Sequence, residues 1–347
     1  MVLRLVILVA VVGLVVLLWA NHNVAHSTPS TLDPTIHIYH EADDHSIPSI
    51  PIGVDIYGET VYKPLVGAGT WQYDNDTAYE SVCKAFLAGY TMVDTAWGYK
   101  NQVGVGRAIR ECWKRPRSEL FVLTKIPGGL TAAETKAAHL DNLRQLQLGY
   151  VDHLMTHFPA DWSVSPDRAT PERRQEEWKA LQEIYQTGEA RSIGVSHYCP
   201  QHINDVLQVA DIVKPSLNQV EYHVGAGDVD GVRAVCQKNN ITFMSFSPLC
   251  GPCEYEAKDS LITGDLVTGI AQHYNNVSGS QVALRFIVQQ ALEEPGSFMG
   301  GVIPKSNNLQ HMILNRDIFR FQLSAEHMEE LRAAAKPAAE AGDCDVP

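Results

Sequence analysis

Along residues 60 to 335 apolar positions recur with two alternating periods. Short stretches dominated by Val, Ile, Leu, Phe and Thr, at 63–67, 91–94, 120–125, 152–157, 190–195, 216–221, 241–246 and 300–303, predict buried strands. The longer segments between them, 77–88, 101–113, 132–146, 173–187, 200–209, 228–239 and 278–291, are amphipathic and predict helices. Within 132–146, Ala137, Leu140, Leu143 and Leu146 follow helical spacing and mark the face expected to be buried. Eight strands interleaved with helices predict an α/β fold. The expected form is a (β/α)8 TIM barrel, one catalytic domain over residues 51–340, with its active site at the C-terminal strand ends. An open doubly wound sheet is the competing arrangement, but strand one lacks the glycine fingerprint of that fold. Gly104-Val105-Gly106 lacks its third glycine and reads as punctuation at a helix start.

The first fifty residues follow neither period. Arg4 precedes an apolar run from Leu5 to Ala20, broken only by Gly13, with no polar position to give it an outer face. Its length falls between a signal-peptide core and a full membrane span. No Lys or Arg follows until Lys63, whereas Asp33, Glu41, Asp43 and Asp44 do. That asymmetry places the N-terminus in the cytosol and the body across the membrane. Residues 1–25 are therefore expected to be a signal peptide, cleaved at Ala20 or near Ala25-His26-Ser27, or an uncleaved signal-anchor. Residues 26–50, rich in Pro, Ser, Thr, Asp and His, read as a flexible linker. The expected location is the endomembrane or secretory pathway, lumenal on a single anchor or secreted, with membrane contact only through this segment. Glycosylation acceptors occur at Asn75-Asp76-Thr77, Asn240-Ile241-Thr242 and Asn276-Val277-Ser278, of which Asn240 opens a predicted buried strand.

Composition narrows the partners. The 347 residues are 45% hydrophobic and 19% charged, a globular balance, and the net charge of −13 argues against a nucleic-acid surface. No zinc-type Cys/His spacing and no G-x-x-x-x-G-K-[ST] phosphate loop occur, so no metal is expected.

The chemistry gathers at strand ends. Asp94-Thr95-Ala96-Trp97-Gly98-Tyr99 puts a carboxylate and a phenol just beyond the apolar Tyr90-Thr91-Met92-Val93. The next strand ends on Lys125 and the one after on His157. A lysine closing an apolar strand needs a partner, because burying an unpaired ammonium is costly. A phenol beside a cation is a candidate general acid.

Asp94, Tyr99, Lys125 and His157, in this order and context, resemble the catalytic tetrad of the aldo-keto reductases. The likeness continues through Gly67-Ala68-Gly69-Thr70-Trp71, Gly194-Val195-Ser196, Leu217-Asn218-Gln219-Val220-Glu221, Ser247-Pro248-Leu249 and Ile303-Pro304-Lys305-Ser306, covering roughly residues 60 to 335. The resemblance implies NADPH-dependent reduction of aldehydes or ketones by a monomer. Tyr99 would donate the proton, Lys125 lower its pKa, Asp94 fix Lys125, and His157 orient the carbonyl. It implies that Ser196 and Gln219 bond the nicotinamide carboxamide and that Phe246 stacks on the ring. Ser247 and Leu249 would meet the pyrophosphate, Lys305 and Ser306 the 2′-phosphate, and Asn315 the adenine. A hairpin at 50–62 would plug the barrel floor. The competing function on the same barrel is a cofactor-binding regulatory protein resembling channel β-subunits, although such a binder has no need of a proton donor.

Three positions depart from the family pattern. His197 replaces an asparagine after the serine, His311 an arginine that grips the 2′-phosphate, and Leu314 a polar adenine contact. A neutral histidine attracts phosphate less than arginine, so tolerance of NADH is expected beside NADPH. Trp71, Trp97 and Phe158 are candidate pocket walls. Cys250-Gly251-Pro252-Cys253 matches the thioredoxin tetrapeptide without its preceding tryptophan, and stands either as a local disulfide or as reduced loop thiols. Seven cysteines leave one unpaired in any intramolecular scheme.

Overall fold

The structure, a computed structural model, describes residues 46–160, 168–228, 231–250, 261–293 and 298–335. The expected signal or anchor segment, most of the expected linker and Cys253 lie outside the described residues. Among the described residues no helix is long and apolar enough to cross a membrane.

Eight parallel strands form one sheet in sequence order: β3 (Ala68–Gly69), β4 (Met92–Asp94), β5 (Phe121–Ile126), β6 (His153–Thr156), β7 (Ile193–Ser196), β8 (Leu217–Glu221), β9 (Thr242–Phe246) and β10 (Met299–Val302). The sheet closes on itself. A parallel bridge joins Val66 to Val302, with Gly67 N donating to Val302 O at 2.9 Å and Val302 N to Leu65 O at 2.8 Å. At this seam Gly301 takes φ +83°, and a Cβ there would stand 2.1 Å from Leu65 O, so only glycine fits. The helices packed outside are α1 (Asn75–Leu87), α2 (Gln102–Cys112), α3 (Ala132–Leu146), α4 (Pro171–Thr187), α5 (Pro200–Leu207), α6 (Val232–Lys238), α7 (Asp265–Ala271), α8 (Gly279–Glu293), α9 (Leu309–Arg316) and α10 (Ala325–Ala333).

Before the barrel comes an antiparallel hairpin, β1 (Ser49–Val54) and β2 (Thr60–Pro64). It starts inside the segment expected to be linker, and it takes Lys63 and Pro64 from the segment expected to be the first barrel strand. The reason is pairing: Ser49 and Ile50 lie opposite Pro64 and Lys63, and the chain joins the barrel only from Leu65. Ile52 and Val61 of the hairpin pack into one cluster with Met92, Phe121, Leu123, Met155, Leu217, Met244 and Ile303, and so close the barrel floor.

The inner face follows the two-residue period of a pleated strand. Phe121, Leu123 and Lys125 climb β5 from floor to mouth; His153, Met155 and His157 climb β6 and its end. On α3 the expected face is shifted. Leu140 is 55% exposed, and the buried positions are Thr135, His139, Asn142, Leu143 and Leu146. Asn142 explains the rotation, since it accepts from Gln102 at 2.7 Å and donates to Lys125 O at 3.2 Å, so a polar residue holds the inward position. A disulfide, Cys83–Cys112, ties α1 to the end of α2 with Cα atoms 5.3 Å apart. Closing that chain loop is worth about 3.5 kcal/mol in the chain-entropy account.

Candidate active site

The mouth of the barrel is built from inward-facing ends of adjacent strands. Asp94 ends β4, and its carbonyl accepts from Thr70 Oγ1 at 2.9 Å. Asn101 donates to Thr70 O at 2.8 Å and to Tyr73 O at 2.9 Å, clamping the loop after β3 beside the loop that carries Tyr99. A single tight turn, Trp97–Tyr99, swings the phenol back over the barrel and ends on Lys100 in the left-handed region at φ 59°.

Three of the four tetrad residues form one hydrogen-bonded chain. Lys125 Nζ donates to Asp94 Oδ1 at 2.7 Å, to Thr95 O at 3.4 Å and to the Tyr99 hydroxyl at 3.2 Å. Lys125 is wholly buried and Asp94 is 1% exposed. Burial lowers the Lys125 pKa while the Asp94 charge and hydrogen bond raise it, which keeps an ammonium tenable there. Tyr99 departs from the expectation of a lowered pKa. Burial, and then the Asp94 charge, hold its proton well above the usual phenol range. The phenol is thus a protonated donor over the whole physiological range.

His157 packs edge-on against Tyr99 with ring centroids 5.4 Å apart. Burial, then the charges of Lys125 and His197, push it down to about 2, so the ring is neutral at working pH. A neutral imidazole has one N–H to offer a carbonyl oxygen but no labile charge-bearing proton, which leaves the acid role to Tyr99.

These groups open into a cavity of about 510 Å³. Of the residues singled out in the sequence, Asp94, Tyr99, His157, His197, Gln219, Phe246, Ser247, Leu249 and Lys305 line it, as do Trp71, Trp97 and Phe158. Lys125 lies beneath it, and Ser196, Ser306, His311 and Asn315 stand outside its wall. Sequence reasoning did not point to Gln72 or Pro127, which also line it; nothing but loop position marked them.

Two polar groups are committed differently from the expectation. Ser196 Oγ donates to Gln219 O at 2.8 Å, and Gln219 Nε2 donates to Asp94 Oδ2 at 2.8 Å and approaches Met244 Sδ at 3.6 Å. Their donors hold the tetrad together, and Gln219 Oε1 is the atom left to meet a carboxamide. His197 has φ 60°, and its Nδ1 lies 2.9 Å from His157 O; a carbonyl only accepts, so Nδ1 carries the hydrogen and Nε2 is a lone-pair acceptor. Its ring sits between Phe158 (4.4 Å) and Phe246 (4.7 Å), giving an aromatic wall.

The rim carries the features a nucleotide needs. Lys305 is exposed, donates to Gln72 Oε1 at 2.9 Å and lies 5.2 Å from the Tyr73 ring. Helix α9 begins beside it, capped by Asn308, which accepts from His311 N at 3.1 Å. A cation next to a helix N-terminus suits a phosphate. Trp97 is pinned by its own bond to Asp141 at 2.9 Å and by Lys100 over its face.

Comparison with known proteins agrees with this geometry. The model of the Aldo/keto reductase family matches residues 65–336. The chain is 34% identical over 278 residues to a glyoxal reductase of Bacillus subtilis, covering 80% of this chain and 90% of that protein. It is 30% identical over 274 residues to a 9,11-endoperoxide prostaglandin H2 reductase of Trypanosoma cruzi, covering 78% and 88%. Among solved structures, an aldo-keto reductase of Bombyx mori in complex with NADP superimposes with a TM-score of 0.71 at 28% identity, over 84% of this chain and 94% of that one.

Proposed function

The chain belongs to the aldo/keto reductase family, and from that premise we propose that it reduces aldehydes or ketones to alcohols with NADPH, Tyr99 serving as proton donor. The observation that carries the reading is Lys125, bonded at once to Asp94 and to the Tyr99 hydroxyl at the cavity mouth. When bound, NADPH supplies the hydride to the carbonyl carbon. The His157 N–H holds the carbonyl oxygen, and Tyr99 gives its proton as negative charge develops there. Lys125 faces the phenolate left behind, and Asp94, held by Lys125 and Gln219, keeps that ammonium in place. The residues present fit the cofactor: Phe246 offers a ring face, Gln219 Oε1 and His197 Nε2 are acceptors for a carboxamide N–H, and Lys305 meets a 2′-phosphate. His311 in place of a permanent cation supports tolerance of NADH. The tetrad is complete within one chain, which supports a monomer as the active unit.

Placement in the secretory pathway, with the body lumenal or secreted, is part of the same reading. It is supported by the apolar run from Leu5 to Ala20 and by the Cys83–Cys112 disulfide, a bond that persists in oxidising compartments. Cys199 and Cys250 are disulfide-bonded as well, and Cys236 is the free cysteine among the described residues. Of the acceptor asparagines, Asn276 sits exposed in a left-handed turn at φ 52°, an accessible position for a glycan.

The deciding experiment is NADPH oxidation with a panel of small aldehydes, ketones and dicarbonyls. Turnover that Tyr99→Phe removes is the expected result. Tight NADPH binding with no turnover on any carbonyl would instead favour a regulatory barrel.

A further inference from the structure

Lys63 and His153 take no part in the tetrad, yet both are wholly buried in the barrel interior. Lys63 follows Val61 on the inward side of β2, and its Nζ donates to Pro64 O at 2.9 Å and to Gly300 O. Those two carbonyls leave one of the three ammonium protons over. His153 stands on β6 two pleats below His157. Ser192 Oγ spends its single proton on Asp152 O at 2.7 Å, so its 2.8 Å contact with His153 Nδ1 is an N–H donated by the imidazole. Nε2 is then a bare lone pair, buried and without a hydrogen-bond partner. Gly194 makes the room for it, since a Cβ there would come within 2.6 Å of Nε2. The groups that act electrostatically with Lys63 are Asp94 on β4 and His153 on β6. Strand β10 presents the Gly300 carbonyl, and Met244 of β9 packs in the floor cluster with Val61.

We propose that Lys63 is a second cation of the catalytic centre, a positioning residue that acts from the barrel floor through Asp94 on the Lys125–Tyr99 pair and, by gaining or losing its proton, sets how readily Tyr99 gives up its own. The proposal rests on the carbonyl-reducing reading of the site. Burial brings the Lys63 ammonium down to about 7, against the pull of the Asp94 charge, so it changes charge in the physiological range. The sign follows from Asp94. After burial, the Asp94 charge is what holds the phenol proton on Tyr99. A charged Lys63 offsets that field and makes Tyr99 the stronger acid; a neutral Lys63 does not. Reduction is therefore faster below the Lys63 midpoint and slower above it. The Lys63 charge helps to keep His153 neutral, and the unpartnered lone pair of that neutral ring is expected to favour the charged form of Lys63.

The test follows NADPH-dependent reduction of a small aldehyde from about pH 5.5 to 9 in the wild type, Lys63→Met and His153→Leu. The wild-type kcat is expected to fall by about three- to tenfold with a midpoint near 7, the scale of one charge acting through a protein interior. Lys63→Met is expected to lack this limb and stay at the high-pH level, with KM for the aldehyde unchanged, and His153→Leu to move the midpoint down. Lys63→Met relieves the desolvation of a buried ammonium but takes a donor from the Pro64 and Gly300 carbonyls, so its melting temperature is measured beside each profile. A wild-type profile without the limb, or a limb that survives in Lys63→Met, overturns the proposal. A wild type without turnover at any pH would overturn the carbonyl-reducing reading instead. The floor is then read directly by NMR of lysines labelled at the ε-carbon, the Lys63 signal being the one lost in Lys63→Met. A midpoint near 7 supports a titrating cation at the floor, and one above about 9.5 removes it.

Discussion

Two lysines mark the floor and the mouth of the barrel. Lys63 and Lys125 are each wholly buried, and burial lowers both ammonium pKa values. Lys125 has a carboxylate 2.7 Å away, while Lys63 donates to backbone carbonyls. A full opposing charge keeps the mouth cation in place; carbonyl dipoles leave the floor cation poised to lose its proton. Histidines repeat the contrast on one strand. His157 reaches the open cavity, and His153, two pleats down, is wholly buried in the interior. Depth of burial is equal for the two lysines, so partner chemistry decides what each can do.

The strongest attack on the mouth is Tyr99→Phe. Loss of the general acid should cut reduction by roughly 10²–10⁴-fold while NADPH affinity stays near wild type, and wild-type turnover would dismiss the tetrad assignment. Asp94→Asn makes the mouth resemble the floor by leaving Lys125 without its carboxylate. Stability should drop by about 3–5 kcal/mol at neutral pH, with part of the loss recovered at higher pH as Lys125 neutralises. Chemical denaturation at two pH values reads this, and a loss independent of pH would mean that the ion pair is not its cause.

The buried histidines sharpen the comparison at every depth. Burial lowers His139 and His202 to about 4 and His153 to about 3, while an unfolded histidine titrates near 6.5. As pH falls below about 6.5 the unfolded chain takes up protons that the folded one refuses, so stability declines toward the folded pKa values. The expected loss is roughly 2 kcal/mol per ring by pH 5, visible as a falling melting temperature. A melting temperature flat from pH 7 to about 5 would show that the interior relaxes around these rings.

Lys305, exposed at the rim, completes the series as a cation whose partner arrives with the cofactor. Lys305→Ala should weaken NADPH binding by about tenfold and leave NADH almost unchanged, the loss of one charge-assisted bond. Titration with both cofactors decides it, and equal losses would make the residue structural. His311→Arg is the smallest step, expected to raise NADPH preference a few-fold as a permanent planar cation replaces a ring.

Much of this was written locally. The strand segments could be read because a buried parallel strand needs a short apolar run, and five of the inward positions, Phe121, Leu123, Lys125, Met155 and His157, follow the two-residue period without knowledge of the partner strands. The tetrad could be read for the same reason: Asp94, Lys125 and His157 stand at strand ends and Tyr99 in the turn just after one, and strand ends of a parallel barrel meet at one face. The orientation of α3 could not, because Leu140 has the right spacing but Asn142 has the partners, Gln102 and the Lys125 carbonyl, on other elements.

What the chain determined by itself is the alternation that makes the barrel and the order in which Asp94, Tyr99, Lys125 and His157 reach its mouth. Only the tertiary structure decided which buried groups are paired. Gln219 finds Asp94 across 125 residues, Cys83 finds Cys112 across a helix pair, and Lys63 enters the floor because its strand pairs with β1 before the barrel begins. Periodicity fixes which way a side chain points, but charge and hydrogen bonding depend on distances of a few ångströms between strands far apart in sequence, and those exist only once the sheet has closed.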